Sequence, residues 1–390
     1  MANAFIKPAV VIASVLDQLQ HQLVLSNFVW KNGYGDFAGK FNDTITIRIP
    51  VDTIAHTRKL RATGADRNMV TSDLTEVTVD VKLTDVIYNR IDLTDEERDL
   101  DVISFGTDVL PRQVRSVAKQ IEAGIAYLIT QAPYEKVTSV AADSIWNGVI
   151  SNRRYLNTHE VPVDGRFLLV GSAIEEALLL DDRFVRYDSA GEAGASRLQT
   201  ASIGRLGSYP VIVSEQIAQG DGYLSHPTAY AMLTRTPSKP YTNTVATSTV
   251  ATENGVTLRW LGDYDSGSTT ERSIVDTWMG VKCVVDPVNA NGDEDPHFVR
   301  GTRIHLKATD ATLTGAGTVG HTAGANTIAL SLEDNNGDER AGDSLVTWTT
   351  SDPTKATVDA KGVVTGVAAG SATITANFDG LTKTKAITVS

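Results

Sequence analysis

The residues most able to bind a metal or move a proton are seven histidines, at positions 21, 56, 159, 226, 297, 305 and 321. None lies in a His-x-His or His-Glu-x-x-His arrangement, the spacings that bring two imidazoles to one ion, so they read as isolated loop or surface residues. The neighbouring acids Glu175-Glu176 and Asp181-Asp182 do not form acid/base pairs, because adjacent residues of a helix do not face each other. Gly-x-Ser-x-Gly, Walker and Cys-x-x-Cys spacings are absent. The single cysteine, Cys283, supplies neither an intrachain disulfide nor a zinc site of its own.

Three further stretches imitate ligand-binding motifs. Residues 32–39 are glycine-rich but lack the Gly-Lys-Ser/Thr ending of a phosphate loop, so a turn is expected there. Residues 334–339 and 291–295 resemble calcium loops but are too short for a full coordinating set, and Asn336-Gly337 is a turn signal. Residues 92–101 hold six acids around Arg98 without the central glycine of a calcium loop, which reads as a solvated face at a helix start. No catalytic residue, metal ligand or cofactor is expected from these patterns, and the chain does not read as an enzyme.

The elements that position these residues are set by patterning along 390 residues with a net charge of −12. An acidic balance disfavours a protein whose task is gripping phosphate backbones, since that binding relies on clustered Lys and Arg. A chain with 42% hydrophobic and 21% charged residues has the composition of a globular protein, and its length suggests two or three folding units. The apolar run 9–16 is too short to span a bilayer. Residues 17–21 stand where a signal cleavage site would lie, so the expectation is an amphipathic helix through Ile12, Val15, Leu16, Leu19 and Leu23 and a cytosolic product.

Alternation of Ile45, Ile47 and Ile49, repeated by Val77, Val79, Val81 and Leu83, predicts two strands of a long β-hairpin. Its polar tip, residues 52–73, carries His56, Arg58, Lys59, Arg61 and Arg67. An isolated hairpin is marginal in water, so this arm is expected to rest on another surface. A long helix follows from Pro111, with Val114, Val117, Ala118, Ile121, Ile125 and Leu128 on one face and Pro133 beyond its end. Residues 167–286 mix short strands at 167–170 and 209–213 with a helix through Ile174, Ala177 and Leu178, an α+β order without regular βαβ repeats. From about residue 310 strand-like runs at 327–332, 345–349, 362–367, 372–378 and 385–389 are separated by turn signals, predicting a β-sandwich.

The ordered series Pro111-Arg112-Gln113-Val114-Arg115-Ser116-Val117-Ala118, Gly165-Arg166-Phe167-Leu168-Leu169-Val170-Gly171, Ala177-Leu178-Leu179, Asp182-Arg183-Phe184, residues 203–214 and Gly280-Val281-Lys282 with Val284-Val285-Asp286 resembles the major capsid proteins of tailed bacteriophages. The likeness is to the Hong Kong 97-type fold, in its podovirus coat-protein branch, and covers about residues 1–305. A second resemblance lies in Val346-Thr347-Trp348-Thr349-Thr350-Ser351-Asp352-Pro353, Ala356-Thr357-Val358, residues 362–366, Gly370 and residues 372–376. These are similar to bacterial immunoglobulin-like group two domains, and in that pattern Trp348 would be a large buried anchor. Residues 313–342 depart from it.

These resemblances imply an α+β capsid domain at residues 1–308, with N-terminal arm, long β-hairpin arm, spine helix and axial domain, followed by an all-β immunoglobulin-like sandwich at 309–390. They imply a structural protein that assembles with itself as pentamers and hexamers into an icosahedral shell, alongside portal and scaffolding proteins, in the bacterial cytoplasm. The shell would enclose double-stranded DNA without sequence-specific binding and without a membrane, and would display the sandwich outside. The hairpin would lie across a neighbouring subunit, with Arg58, Lys59 and Arg61 as candidate intersubunit contacts. The alternative function is a surface or glycan-binding protein whose sandwich is the ligand-binding module; a weak cell-surface glycan contact through residues 309–390 is also compatible with the capsid reading.

Overall fold

The computed structural model describes residues 24–31, 44–50, 55–61, 63–69, 71, 76–100, 109–181, 205–206, 209–238, 247–253, 255–286, 297–322 and 326–390. The expected N-terminal helix, the glycine-rich stretch 32–39, the acidic run 291–295 and the motif at 182–184 lie outside these residues. The chain forms two compact units, one of residues 1–135 with 226–300 and one of residues 136–225 with 301–390. Among the described residues the first thirteen strands in chain order are β1 (Thr44–Pro50), β2 (Glu76–Lys82), β3 (Asp85–Thr94), β4 (Val137–Val140), β5 (Phe167–Val170), β6 (Arg205–Leu206), β7 (Tyr209–Val213), β8 (Asp221–Ser225), β9 (Tyr230–Arg235), β10 (Thr247–Glu253), β11 (Val256–Asp265), β12 (Thr270–Cys283) and β13 (Gly301–Leu306). Among the described residues four α-helices accompany them: α1 (Asp95–Leu100), α2 (Leu110–Thr130), α3 (Ile145–Thr158) and α4 (Ser172–Leu180).

In the first unit β1 and β2 pair antiparallel, with Ile45 opposite Val81 and Ile49 opposite Val77. A second sheet runs β10-β11-β12-β3, and β9 also pairs with β12. The expected long helix is α2, with Pro111 in its first turn. Its stripe of Val114, Val117, Ala118, Ile121, Ile125 and Ile129 is buried, as a 3.6-residue period requires for one packed face. Gln113 within that stripe is also buried, and its amide donates to the Ser273 carbonyl of β12 at 3.1 Å. Residues 92–100 of the acidic run span the end of β3 and α1, whose first turn holds Asp95, Glu96 and Glu97, where negative charge suits the helix dipole.

The second unit contains a six-stranded sheet ordered β4-β13-β8-β5-β7-β6. Its core gathers Ile145, Val149 and Leu156 of α3, Ile174 and Leu178 of α4, and Leu168, Val170, Leu224 and Ile304 of the strands. Gly171 is required where β5 meets α4, because a Cβ there would stand 2.3 Å from the Ala218 carbonyl oxygen.

The same unit continues into nine short strands: β14 (Ala311–Thr314), β15 (Thr318–Val319), β16 (Thr327–Ala329), β17 (Ser331–Asp334), β18 (Thr347–Thr350), β19 (Ala356–Val358), β20 (Val363–Gly366), β21 (Gly370–Phe378) and β22 (Leu381–Val389). A β15-β22-β21-β18 sheet and a β16-β20-β19 sheet share a core of Val364, Ala356, Ile374, Ile387 and Val389, and β14 pairs with β17. The run 327–332, read as one strand, is two. Leu330 turns inward between them, β16 pairs with β20, and β17 pairs with β14. Trp348 is half-buried rather than a fully enclosed anchor. It packs at the edge of both apolar clusters with its indole N–H donating to the Ala341 carbonyl at 3.0 Å.

Candidate functional site

The hairpin arm has two different ends. At its base Val79 and Val81 are buried against Ala231, Leu233 and Val284, with Trp30 and Leu83 at the rim. The Lys282 ammonium donates to the Asp80 carbonyl at 2.9 Å, and the Thr84 N–H donates to the Met279 carbonyl at 3.0 Å. Gly280 makes this approach possible, since a Cβ there would lie 2.1 Å from the Lys82 carbonyl oxygen. The arm, expected to rest on another surface, does so at its base, which alternating valines seat on β9 and β12 of its own unit.

The tip is different. Arg58, Lys59 and Arg61 are all exposed, as are His56, Leu60 and Met69. The Arg58 guanidinium donates to the Arg67 carbonyl. None of these three cations forms an ion pair among the described residues. An exposed group of positive charge with apolar neighbours is chemically suited to an acidic protein surface.

Residues 24–31 are held to α2 in the same unit. The Glu122 carboxylate is 8% exposed and accepts from the Leu25 N–H at 3.0 Å and the Ser26 N–H at 2.9 Å. Burial pushes its pKa up, against the opposing pull of those two N–H groups. Trp30 adds backbone bonds to Tyr230 and Met232. No signal in the sequence separated Glu122 from the exposed charges of the same helix.

The second unit contains a buried ionic cluster that sequence reasoning missed. Arg303 and His305 alternate on one face of β13, opposite Tyr223 and Asp221 of β8, while Ile304 between them enters the apolar core. The Arg303 guanidinium pairs with Asp221 at 3.0 Å and with Asp343. Arg340 donates to Asp334 at 2.8 Å, Asp338 at 2.9 Å and Asp221 at 3.0 Å. Asp338 also accepts from the Gln219 and Gly220 N–H groups, both at 2.8 Å.

The turn 334–338 does form, with Gly337 at φ +83° and its N–H donating to the Asp334 carbonyl. Its carboxylates face arginine and backbone N–H groups. Among the described residues no group of His, Cys, Asp and Glu is placed to hold a metal ion.

His305 corrects the reading of every histidine as an isolated loop or surface residue. It is 0% exposed, with Nδ1 2.9 Å from Asp221 Oδ1 and Nε2 2.8 Å from Asp379 Oδ2. Burial opposes its charge, but the hydrogen bonds to Asp221 and Asp379 outweigh that and raise its pKa. Asp221, Asp343 and Asp379 are held below the usual carboxylate range; burial works against this, and their His305 and Arg303 partners overcome it. Alternating Arg303 and His305 reads in sequence as a half-exposed strand, and only the acids Asp221, Asp343 and Asp379, brought from three distant positions, make burial possible.

Comparison with known proteins places these features. Residues 329–389 match the family model Bacterial Ig-like domain (group 2). A chain from Mycobacterium phage Che8 is similar at TM-score 0.50 and 17% identity, over 72% of this chain and 90% of that chain. The capsid of a native GTA particle is similar at TM-score 0.47 and 11% identity, over 78% and 92%. The acidic stable capsid structure of Helicobacter pylori bacteriophage KHP30 is similar at TM-score 0.45 and 13% identity, over 68% and 85%. No curated protein matches the chain in sequence. The fold is the α+β Hong Kong 97-type fold of phage capsid proteins. Its C-terminal part carries an all-β bacterial immunoglobulin-like domain of group two.

Proposed function

We propose that this chain is the major capsid protein of a tailed bacteriophage, a structural and non-enzymatic protein that assembles into an icosahedral shell around double-stranded DNA. The observation that carries this reading is the hairpin arm. Its base is locked to β9 and β12, whereas its tip offers Arg58, Lys59 and Arg61 with no ion-pair partner among the described residues. In this reading acids of a neighbouring copy complete the tip. Repetition by symmetry makes weak contacts sufficient, each exposed pair being worth about 0–1 kcal/mol.

In this reading residues 1–308 build the shell in the host cytoplasm, with scaffolding and portal proteins, and residues 309–390 are displayed on its outer surface. The acidic balance of the chain limits adhesion to packaged DNA. The arm is tested by size-exclusion chromatography and light scattering of the full chain beside an R58E/K59E/R61E variant. Large assemblies for the natural chain, and loss of them in a variant that melts at the same temperature, support the arm contact. Equal assembly by both removes the tip from the mechanism.

A further inference from the structure

The charge cluster of the second unit joins two parts of that unit. One side is supplied by Asp221, Arg303, His305 and the backbone of Gln219–Gly220; the other by Asp334, Asp338, Arg340, Asp343 and Asp379 of the immunoglobulin-like sandwich and its leading turns. The chain connecting them is short: Leu306 ends β13, and Ala311 begins β14. Its Ala308 N–H donates to Asp379 Oδ2 at 2.8 Å, the same oxygen that faces His305.

The geometry fixes the protonation of the histidine. Each ring nitrogen lies within hydrogen-bond distance of a different carboxylate, and a carboxylate only accepts. A neutral imidazole has one N–H, so it could satisfy one of these contacts and would set a lone pair against the other carboxylate. The surroundings favour the cation as well. Around the ring stand Asp221 from β8, Asp379 from the β21–β22 turn, Arg303 on its own strand, and Arg340 with Asp334, Asp338 and Asp343. Tyr223 donates its hydroxyl to Asp221 at 3.3 Å and Ser139 of β4 donates to Asp379 at 3.1 Å, while the Phe378 ring lies 5.3 Å from the imidazole. Five carboxylates thus face two guanidinium groups, and an imidazolium is the third cation.

We propose that His305 is a buried imidazolium that clasps the immunoglobulin-like sandwich to β8 and β13, and that its deprotonation at alkaline pH undocks the sandwich. The sandwich is then an integral, pH-releasable part of the second unit rather than a tethered appendage. This inference is independent of the capsid reading.

The test uses the full-length chain labelled with ¹⁵N-histidine, followed by NMR and by limited proteolysis within residues 307–310 from pH 6 to pH 10. At pH 7.5 both His305 nitrogens are expected to show the shifts of an imidazolium. Cleavage should rise roughly tenfold per pH unit above the ordinary histidine value near 6.5 and level off above the docked value, because one proton is released on undocking while the docked ring stays charged. Asp379→Asn removes one of the two carboxylates and should bring the onset down by about one pH unit or more. His305→Gln identifies the signal where it folds; where it does not, the shift of one histidine signal in D379N makes the assignment. A neutral His305 at pH 7.5 in the folded chain overturns the proposal. So does a cleavage onset that D379N leaves unmoved, which would assign the alkaline change to another group such as the Tyr223 phenol.

Discussion

Asp338 shows how much a single side chain decides here. It accepts from two backbone N–H groups and from Arg340, and it is 8% exposed. Replacing it by alanine leaves those donors buried without an acceptor, and removing one partner of a buried ion pair costs about 3–5 kcal/mol. Denaturant unfolding of D338A should show that loss, whereas replacing an exposed helix-surface acid such as Glu176 should change little. Gly280 is the steric counterpart. A methyl group there would press on the Lys82 carbonyl oxygen, so Gly280→Ala is expected to lower stability by about 1–3 kcal/mol through displacement of the hairpin base. Thermal melting of the variant checks this, and an unchanged melting temperature would show that the base yields freely. The sequence marks both positions as parts of motifs, a calcium-loop-like turn and a capsid-like run, without showing what either does. Asp338 looks like one more turn acid, and Gly280 one more strand glycine, until the chain brings Gln219 and Lys82 to them.

Local patterns made most elements legible. The 3.6-residue stripe of α2 and the alternating valines of β2 each state which side is buried, because burial of one face imposes a period. The same logic failed where a strand is buried on both faces. Strand β13 is buried at all six positions, and its charged residues are admitted only by long-range partners, so no window of the sequence holds the information. It failed also at 327–332, where a strand-like run changes sheets at Leu330. For the hairpin, the strands and their register follow from alternation, but the seating of the base depends on β9 and β12, some 150–200 residues away. An element-level prediction follows for residues 24–31. Glu122→Ala deletes the acceptor of the Leu25 and Ser26 N–H groups. Amide exchange at those residues should therefore rise by about one to two orders of magnitude, matching a loss of 1–3 kcal/mol, while the buried face of α2 remains protected.

For the whole molecule, the cluster around Asp221 sets a pH window. Asp221, Asp343 and Asp379 have pKa values depressed by their cationic partners. Their contribution is present above the ordinary carboxylate value near 4 and is lost as pH falls through the lower folded values. His305 is raised, so its contribution is complete below about 6.5 and is lost as pH rises through its folded value. Stability of the second unit should therefore be greatest between these limits and decline on both sides. Melting temperatures from pH 3 to pH 10 would show it, and a curve still rising above pH 9 would contradict the sign assigned to His305. The cluster also predicts the effect of removing residues 309–390. The truncated chain leaves Asp221, Arg303 and His305 without their partners from the sandwich, and it should be less stable than the full chain even if the capsid-type core of Leu168, Leu224 and Ile304 still forms.

Assembly is read out by electron microscopy of the recombinant full-length chain after size-exclusion chromatography, with the chain expressed alone and with a scaffolding protein. Closed shells, or rings of five and six subunits, are the expected outcome. A monomer at every concentration and with every scaffold would contradict it and would shift the role of the chain to a binding protein built around its immunoglobulin-like domain.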